Sequence, residues 1–147
     1  MEINGNTYMV PAGTPCQITT SQIGNSDTVK IVGASVLNDI GDLSKYQPYE
    51  LKVGAGANLK RLIIGSNAPG YVNTSTEAIE GLSDCALLEE INVQNTTKLG
   101  SLNLGGNGLI KKVYAGGSNI TTISLPNGGV LNEIEYGPNT TNITLLN

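Results

Sequence analysis

The chain has 147 residues and a formal net charge of −4, with 14% charged residues and no His, Trp or Phe. Because it lacks a basic surface, it has little attraction for phosphate, which disfavours a nucleic-acid partner. The absence of His removes the commonest general base and a common metal ligand. No apolar run reaches the length that spans a bilayer, so a membrane partner is not predicted either.

Residues 1–47 do not follow the repeat that begins near residue 48. Within 2–10, the Asn4-Gly5 pair lies between residues suited to strands, which indicates a hairpin. Short apolar stretches follow near Val29 and Val36. Because the first coil of a repeat protein needs a cover, we predict that 1–47 is an N-terminal capping segment of short strands and loops.

From residue 48 onward one phrase recurs: apolar-x-x-apolar-x-apolar-x-x-(Asn or a small residue). Its copies are 59–67, 88–93, 99–107, 110–118, 120–127 and 131–139, with a partial copy from 142. Taken in pairs, they give a coil of about 21 residues with two short strands and Gly-rich corners. The sequence therefore predicts a mainly β solenoid over 48–147, with two short parallel sheets and stacked inward rows such as Ile91, Val113 and Ile134.

Two places depart from the simple period. The stretch near 68–78 is too long for half a coil and predicts an inserted loop at one rim. The last copy stops inside a phrase at Asn147. An uncovered last coil would expose apolar side chains and strand edges, so we expect the natural chain to continue beyond 147. The alternative is that another subunit covers this end.

Candidate chemical groups are better explained by structure than by catalysis. Glu89-Glu90 and Lys111-Lys112 occupy the same slot of successive coils, which predicts weak ion pairs on an outer surface. The glycine-rich segments lack the phosphate-loop pattern, and Asp is too sparse for calcium repeats. Cys16 and Cys85 form no C-x-x-C motif, and their redox state stays open. We predict no metal, no cofactor and no catalytic residues.

Asparagine occurs in two patterns. Four copies of the phrase end in Asn, and we predict that these side chains bond the backbone at corners; they are Asn67, Asn107, Asn127 and Asn139. Asn-x-Ser/Thr triplets are common as well, and the abundance of Asn and Thr at corners accounts for them; they begin at Asn73, Asn95, Asn119, Asn139 and Asn142.

Three tyrosines are candidate partner contacts. Tyr114 and Tyr136 lie on one predicted sheet, and Tyr71 lies in the predicted insertion. Tyrosine is a frequent interface anchor because it combines a large apolar ring with a polar hydroxyl. A plain packing role for each ring is the alternative.

The phrases 59–67 and 99–107 match the leucine-rich-repeat signature L-x-x-L-x-L-x-x-N in full. The chain resembles a short bacterial leucine-rich-repeat-type solenoid. More narrowly, NLKRLIIGS (58–66), LLEEI (87–91) and SLPNGGVLNEI (124–134) resemble repeat regions in virion proteins of tailed phages of gut bacteria, including the crAss-like group. Coils near 21 residues with strands in both halves favour a flat prism over the curved horseshoe of standard leucine-rich repeats.

The resemblance implies a non-enzymatic structural module of a phage virion, associated with the tail or tail tip near host attachment. Its partners would be other virion proteins or further copies of itself, with a bacterial surface receptor as another candidate. The alternative is a bacterial cell-surface adhesin repeat that binds a host protein or glycan. An enzyme acting on polysaccharide is the third hypothesis, disfavoured because no cluster of acidic or basic groups is visible.

Overall fold

The computed structural model describes residues 2–3, 6–7, 28–32, 39–44, 47–53 and 58–146, and side chains from residue 42 onward within these ranges. The described residues form thirteen short strands and one turn of 3-10 helix, Leu82–Asp84. The strands are β1 (Glu2–Ile3), β2 (Asn6–Thr7), β3 (Thr28–Val32), β4 (Asp39–Asp42), β5 (Glu50–Val53), β6 (Arg61–Ile63), β7 (Ala78–Glu80), β8 (Glu90–Asn92), β9 (Ser101–Asn103), β10 (Lys112–Tyr114), β11 (Thr122–Pro126), β12 (Glu133–Glu135) and β13 (Asn142–Leu146). The prediction of a mainly β protein with short parallel strands is confirmed.

The strands form three small sheets. Sheet A has the order β2-β1-β3-β5-β7, sheet B has the order β12-β10-β8-β6-β4, and sheet C has the order β13-β11-β9. From β3 to β13, consecutive strands alternate between sheet B and one of the other two sheets. From β3 to β11, each strand except β7 therefore pairs with the strand two places further along the described chain, and all of these pairs are parallel.

Parallel pairing places equivalent apolar residues in rows. Val113 of β10 lies opposite Ile91 of β8 and Ile134 of β12, which are 22 and 21 positions away. On the other side, Ile123 of β11 lies opposite Leu102 and Ile143. The predicted stacking of these side chains is therefore found in the structure.

The core consists mainly of the aliphatic side chains that point inward from sheet B on one side and from sheets A and C on the other. Leu62, Ile91, Val113 and Ile123 are fully buried. Burying a Leu, Ile or Val side chain contributes about 1.5–3 kcal/mol. The inward rows therefore supply much of the stability of this thin structure.

The prediction of two sheets is wrong, because the described residues form three. Within the described part of the chain, β7 and β9 do not pair, so sheets A and C stay separate. The 3-10 turn Leu82–Asp84 follows β7, and the corner after β9 packs against it. At that corner a Cβ on Gly106 would lie 2.1 Å from the carbonyl oxygen of Ser83, so the backbones approach closely.

The N-terminal strands show where the parallel ladders start. β1 and β2 pair antiparallel, as expected for the predicted hairpin. β1 also pairs antiparallel with β3. β3 and β4 then pair in parallel with β5 and β6, so the ladders extend upstream of residue 48.

The segment between β6 and β7 is longer than its counterparts. Leu62 of β6 pairs with Ile91, 29 positions on, whereas Ile91 pairs with Val113 after 22. Six of the seven additional residues lie between β6 and β7, since Leu62 to Ile79 spans 17 positions and Ile91 to Leu102 spans 11. This segment contains the region predicted as an insertion near 68–78.

Candidate interaction surfaces

The outer face of sheet B carries a row of charges of alternating sign. By register, Arg61 lies beside Glu90, Glu90 beside Lys112, and Lys112 beside Glu133. The residues immediately before Glu90 and Lys112 also pair. Lys111 Nζ lies 2.6 Å from Glu89 Oε2, and this hydrogen bond lowers the pKa of Glu89. The predicted stacking of these slots is therefore observed. Such solvent-exposed pairs stabilise weakly, and the arrangement is that of a surface ladder.

Tyr114 lies on the same outer face of sheet B, two residues after Lys112 on β10. Its hydroxyl donates to Glu133 Oε2 at 2.9 Å, and this bond to a carboxylate raises the pKa of Tyr114. Its neighbours by register are Asn92 and Glu135. The phenol ring is only half-buried and is surrounded by polar groups, so it can contact a partner.

Side-chain amides extend this polar surface. Asn92 Nδ2 donates to Gln94 Oε1 at 3.1 Å, and Gln94 Nε2 donates to Glu135 Oε2 at 2.6 Å. The chain of bonds crosses β10 and joins β8 to β12. It holds Glu135 in place beside Tyr114.

Tyr136 does not share a face with Tyr114. It follows β12 at the position equivalent to Ala115, which is buried, whereas Tyr114 is equivalent to the exposed Glu135. Side chains of successive strand residues point to opposite faces of the sheet. Tyr136 therefore occupies an inward register position, yet 55% of it is exposed.

Tyr71 lies in the long segment between β6 and β7 and is half-buried. Its hydroxyl oxygen is 3.0 Å from the carbonyl oxygen of Ser44 and 3.0 Å from that of Ile64. Burial raises its pKa above the ordinary value. The structure thus places Tyr71 as a link between this segment and two neighbouring backbones.

The same segment is held by a buried polar cluster. Asn73 Oδ1 accepts hydrogen bonds from the backbone N–H groups of Ser75 and Thr76, and its Nδ2 donates to Thr76 Oγ1. Thr76 Oγ1 in turn donates to the carbonyl of Pro48 at 2.6 Å. Asn73 and Thr76 are fully buried, so the segment is anchored to the body of the protein.

Four asparagines lie at the corners that follow sheet B, and sequence reasoning predicted a structural role for only the last of them. Asn73, Asn95, Asn119 and Asn139 each follow a strand of sheet B and precede a strand of sheet A or C. Their polar groups connect successive levels: Asn73 N–H donates to Asn95 O, and Asn139 Nδ2 donates to Asn119 Oδ1. The available signal was their Asn-x-Ser/Thr triplets, which begin 22, 24 and 20 residues apart, close to the period of the repeat.

The outer face of sheet C has a different character. Its outward positions on β9, β11 and β13 carry no charge: most hold small hydroxyl or amide side chains, and the last outward pair is Pro126 and Leu146. Ser124 Oγ and Thr144 Oγ1, on neighbouring strands, lie 3.3 Å apart. The polar residues of this face are Ser101, Asn103, Thr122, Ser124, Asn142 and Thr144. The two outer faces therefore offer a partner a charged surface and a neutral one.

The described residues contain no group of three or more Cys, Asp or Glu side chains arranged to hold a metal ion. Cys85 is buried, and burial together with the charge of Asp84 raises its pKa to about 11. Cys16 lies outside the described residues. Among the parts of the chain that the structure describes, no helix has the length and hydropathy needed to cross a bilayer.

Comparison of the chain with models of protein families, with curated proteins and with solved structures gave no match.

Proposed function

We propose that the chain is a leucine-rich-repeat-type solenoid that serves as a non-enzymatic structural module of a phage virion, associated with the tail or tail tip. It acts through contacts with other virion proteins or with further copies of itself. The architecture is supported by one observation above the rest. Chemically equivalent aliphatic residues lie in register on strands about 21 residues apart, as Ile91, Val113 and Ile134 do.

The distribution of polar groups supports a structural role. Asn73, Thr76 and Gln94 are buried, and their side chains bond the backbone or neighbouring side chains within the fold. Buried polar groups are retained where they are fully bonded. The assignment to a virion rests on the resemblance of the repeat phrases to those of phage proteins.

The outer face of sheet B is the contact surface we favour. Tyr114 supplies a partly exposed ring, and Glu133, Glu135 and Lys112 surround it with fixed charges. An aromatic anchor within a polar rim is the common composition of a protein–protein interface. Alternating charge signs also give such a surface a defined register with its partner.

The first test is the location of the chain. Antibodies raised against the purified chain should detect it in particles banded in a density gradient and, by electron microscopy of gold-labelled particles, at the tail. Detection in the bacterial envelope fraction and not in particles would contradict the virion assignment and favour the adhesin alternative.

The second test maps the contact surface. A photo-crosslinking amino acid at position 114 should capture another virion protein or a second copy of the chain in assembled particles. The matched control carries the same amino acid at position 122, on the outer face of sheet C. Equal crosslinking at both positions, or crosslinking at 122 alone, would contradict the choice of sheet B.

A further inference from the structure

Two Asn-Gly pairs in the described residues occupy equivalent corners but differ in exposure. Asn107-Gly108 follows β9, and Asn127-Gly128 follows β11. Asn107 is fully buried, whereas Asn127 and Gly128 are exposed. The structure therefore separates two identical dipeptides by their environment, although the sequence alone does not distinguish them.

We propose that Asn127 is a site of spontaneous backbone-assisted deamidation and that Asn107 is protected from it. This inference is independent of the proposed function. The reaction takes water as its co-reactant and is promoted by hydroxide. It converts the side-chain amide into a carboxylate and adds one negative charge to the corner between β11 and the next sheet-B strand, β12.

The chemical step uses atoms of the chain itself. The backbone nitrogen of Gly128 loses its proton and attacks Cγ of Asn127, forming a C–N bond. The Cγ–Nδ2 bond breaks, and the amide leaves as ammonia after taking up a proton. Water then opens the resulting five-membered imide at either carbonyl, which gives aspartate or isoaspartate.

Gly128 favours this attack. Without a Cβ it presents an unhindered nitrogen and crosses conformations closed to other residues. Its φ is +73°, and a Cβ built on it would meet no atom within 4 Å, so nothing crowds this glycine on that side. The corner is held at its start, where the backbone N–H of Asn127 donates to Leu146 O. The residues that follow, through Val130, are exposed as well.

Asn107 is held away from the reactive geometry. Its Nδ2 donates to the carbonyls of Leu82 and Cys85 at 2.9 and 2.7 Å. Its backbone N–H donates to Leu104 O, and its carbonyl accepts from Ile110 N–H. Ring closure needs the side chain to rotate toward Gly108, which would break both buried hydrogen bonds.

The test compares the two sites within one molecule. The folded protein is incubated at mildly alkaline pH, and peptides are then analysed by mass spectrometry with separation of isoaspartate. We expect conversion at Asn127 to be at least about tenfold faster than at Asn107, a difference of about 1.4 kcal/mol in activation free energy. In urea, where both sites are exposed, we expect the two rates to become similar.

Two outcomes would overturn the proposal. One is equal conversion at both sites in the folded protein, and the other is no conversion at Asn127 while the unfolded chain reacts there. The Asn127→Gln variant is the matched control. Glutamine closes the ring far more slowly, so the peptide that spans position 127 should show no conversion by mass spectrometry, whatever happens at the Asn4-Gly5 pair.

Discussion

Asn107 Nδ2 lies 2.7 Å from the carbonyl oxygen of Cys85 and donates a hydrogen bond to it. The same nitrogen donates to the carbonyl of Leu82 at 2.9 Å. These bonds cross the junction at which β7 and β9 form no ladder in the described structure. One buried amide thus ties the end of sheet A to the start of sheet C.

The first prediction concerns this amide. Asn107→Ala leaves two buried carbonyls without this donor, and we expect the free energy of unfolding to fall by about 1–3 kcal/mol. Asn107→Asp should cost more, because a carboxylate would face carbonyl oxygens in a buried site. Urea unfolding followed by circular dichroism measures both effects.

Asn139→Ala is the control for that series. Its side chain is exposed and bonds only the side chain of Asn119 in the described contacts. We expect a change within about 0.5 kcal/mol, as is usual for surface positions. A loss at position 139 as large as that at 107 would show that the junction has no special role.

The second prediction tests the inward rows. Ile123→Asp places a charge among fully buried aliphatic residues, with Leu102 as a neighbour by register. We expect a loss of about 3 kcal/mol or more, enough to unfold sheet C or the whole chain. Ser101→Asp, on the exposed face of the adjacent strand, should leave the melting temperature nearly unchanged. A stable Ile123→Asp protein would mean that the side chain points to solvent.

The third prediction separates two tyrosines. Tyr71→Phe removes a hydroxyl that reaches two backbone carbonyls, and we expect a loss of about 1 kcal/mol. Tyr114→Phe removes a solvent-exposed bond to Glu133 and should have little effect on stability. Thermal unfolding of both variants makes the comparison. A smaller loss of stability for Tyr71→Phe than for Tyr114→Phe would refute the anchoring role of Tyr71.

The fourth prediction concerns the thiol of Cys85. Burial raises its pKa to about 11 from the ordinary value of 9.0. Because the thiolate is the reactive form, we expect slow alkylation of Cys85 in the folded protein at pH 8 and rapid alkylation in urea. Mass spectrometry of the peptide that contains Cys85 gives its rate separately from that of Cys16.

The same shift fixes the sign of a pH effect. The unfolded thiol loses its proton near 9.0, and the folded one near 11. Between these values unfolding releases a proton, so the free energy of unfolding falls as pH rises. Cys85→Ala should lose this part of the alkaline decline, whereas an unchanged pH profile in that variant would contradict the assignment.

Much of the strand pattern could be predicted from sequence, because side-chain alternation and burial are local. Val113 and Leu102 were expected to point inward, and both are buried. The slots of Glu89 and Lys111 were expected to stack, and these side chains form an ion pair. Such positions follow from a period of two within a strand and a fixed period between strands.

Other features depended on contacts that no local pattern contains. Tyr71 was a candidate partner contact, yet its hydroxyl bonds the backbone of Ser44 and Ile64. Tyr114 and Tyr136 were predicted to lie on one sheet, and Tyr136 occupies an inward register position there that remains 55% exposed. The role of Tyr71 depends on how a long segment folds back, which spacing cannot specify.

By itself, the sequence determined which side chains form the inward rows and where the strands turn. The physical reason is that apolar residues repeated at a fixed period are buried when each one packs against its equivalent on the neighbouring strand. Only the tertiary structure decided that the ladder divides between β7 and β9 and that Asn107 spans the division. The physical reason is that the 3-10 turn after β7 brings the carbonyls of Leu82 and Cys85 to this corner, where a side-chain amide takes the place of backbone pairing.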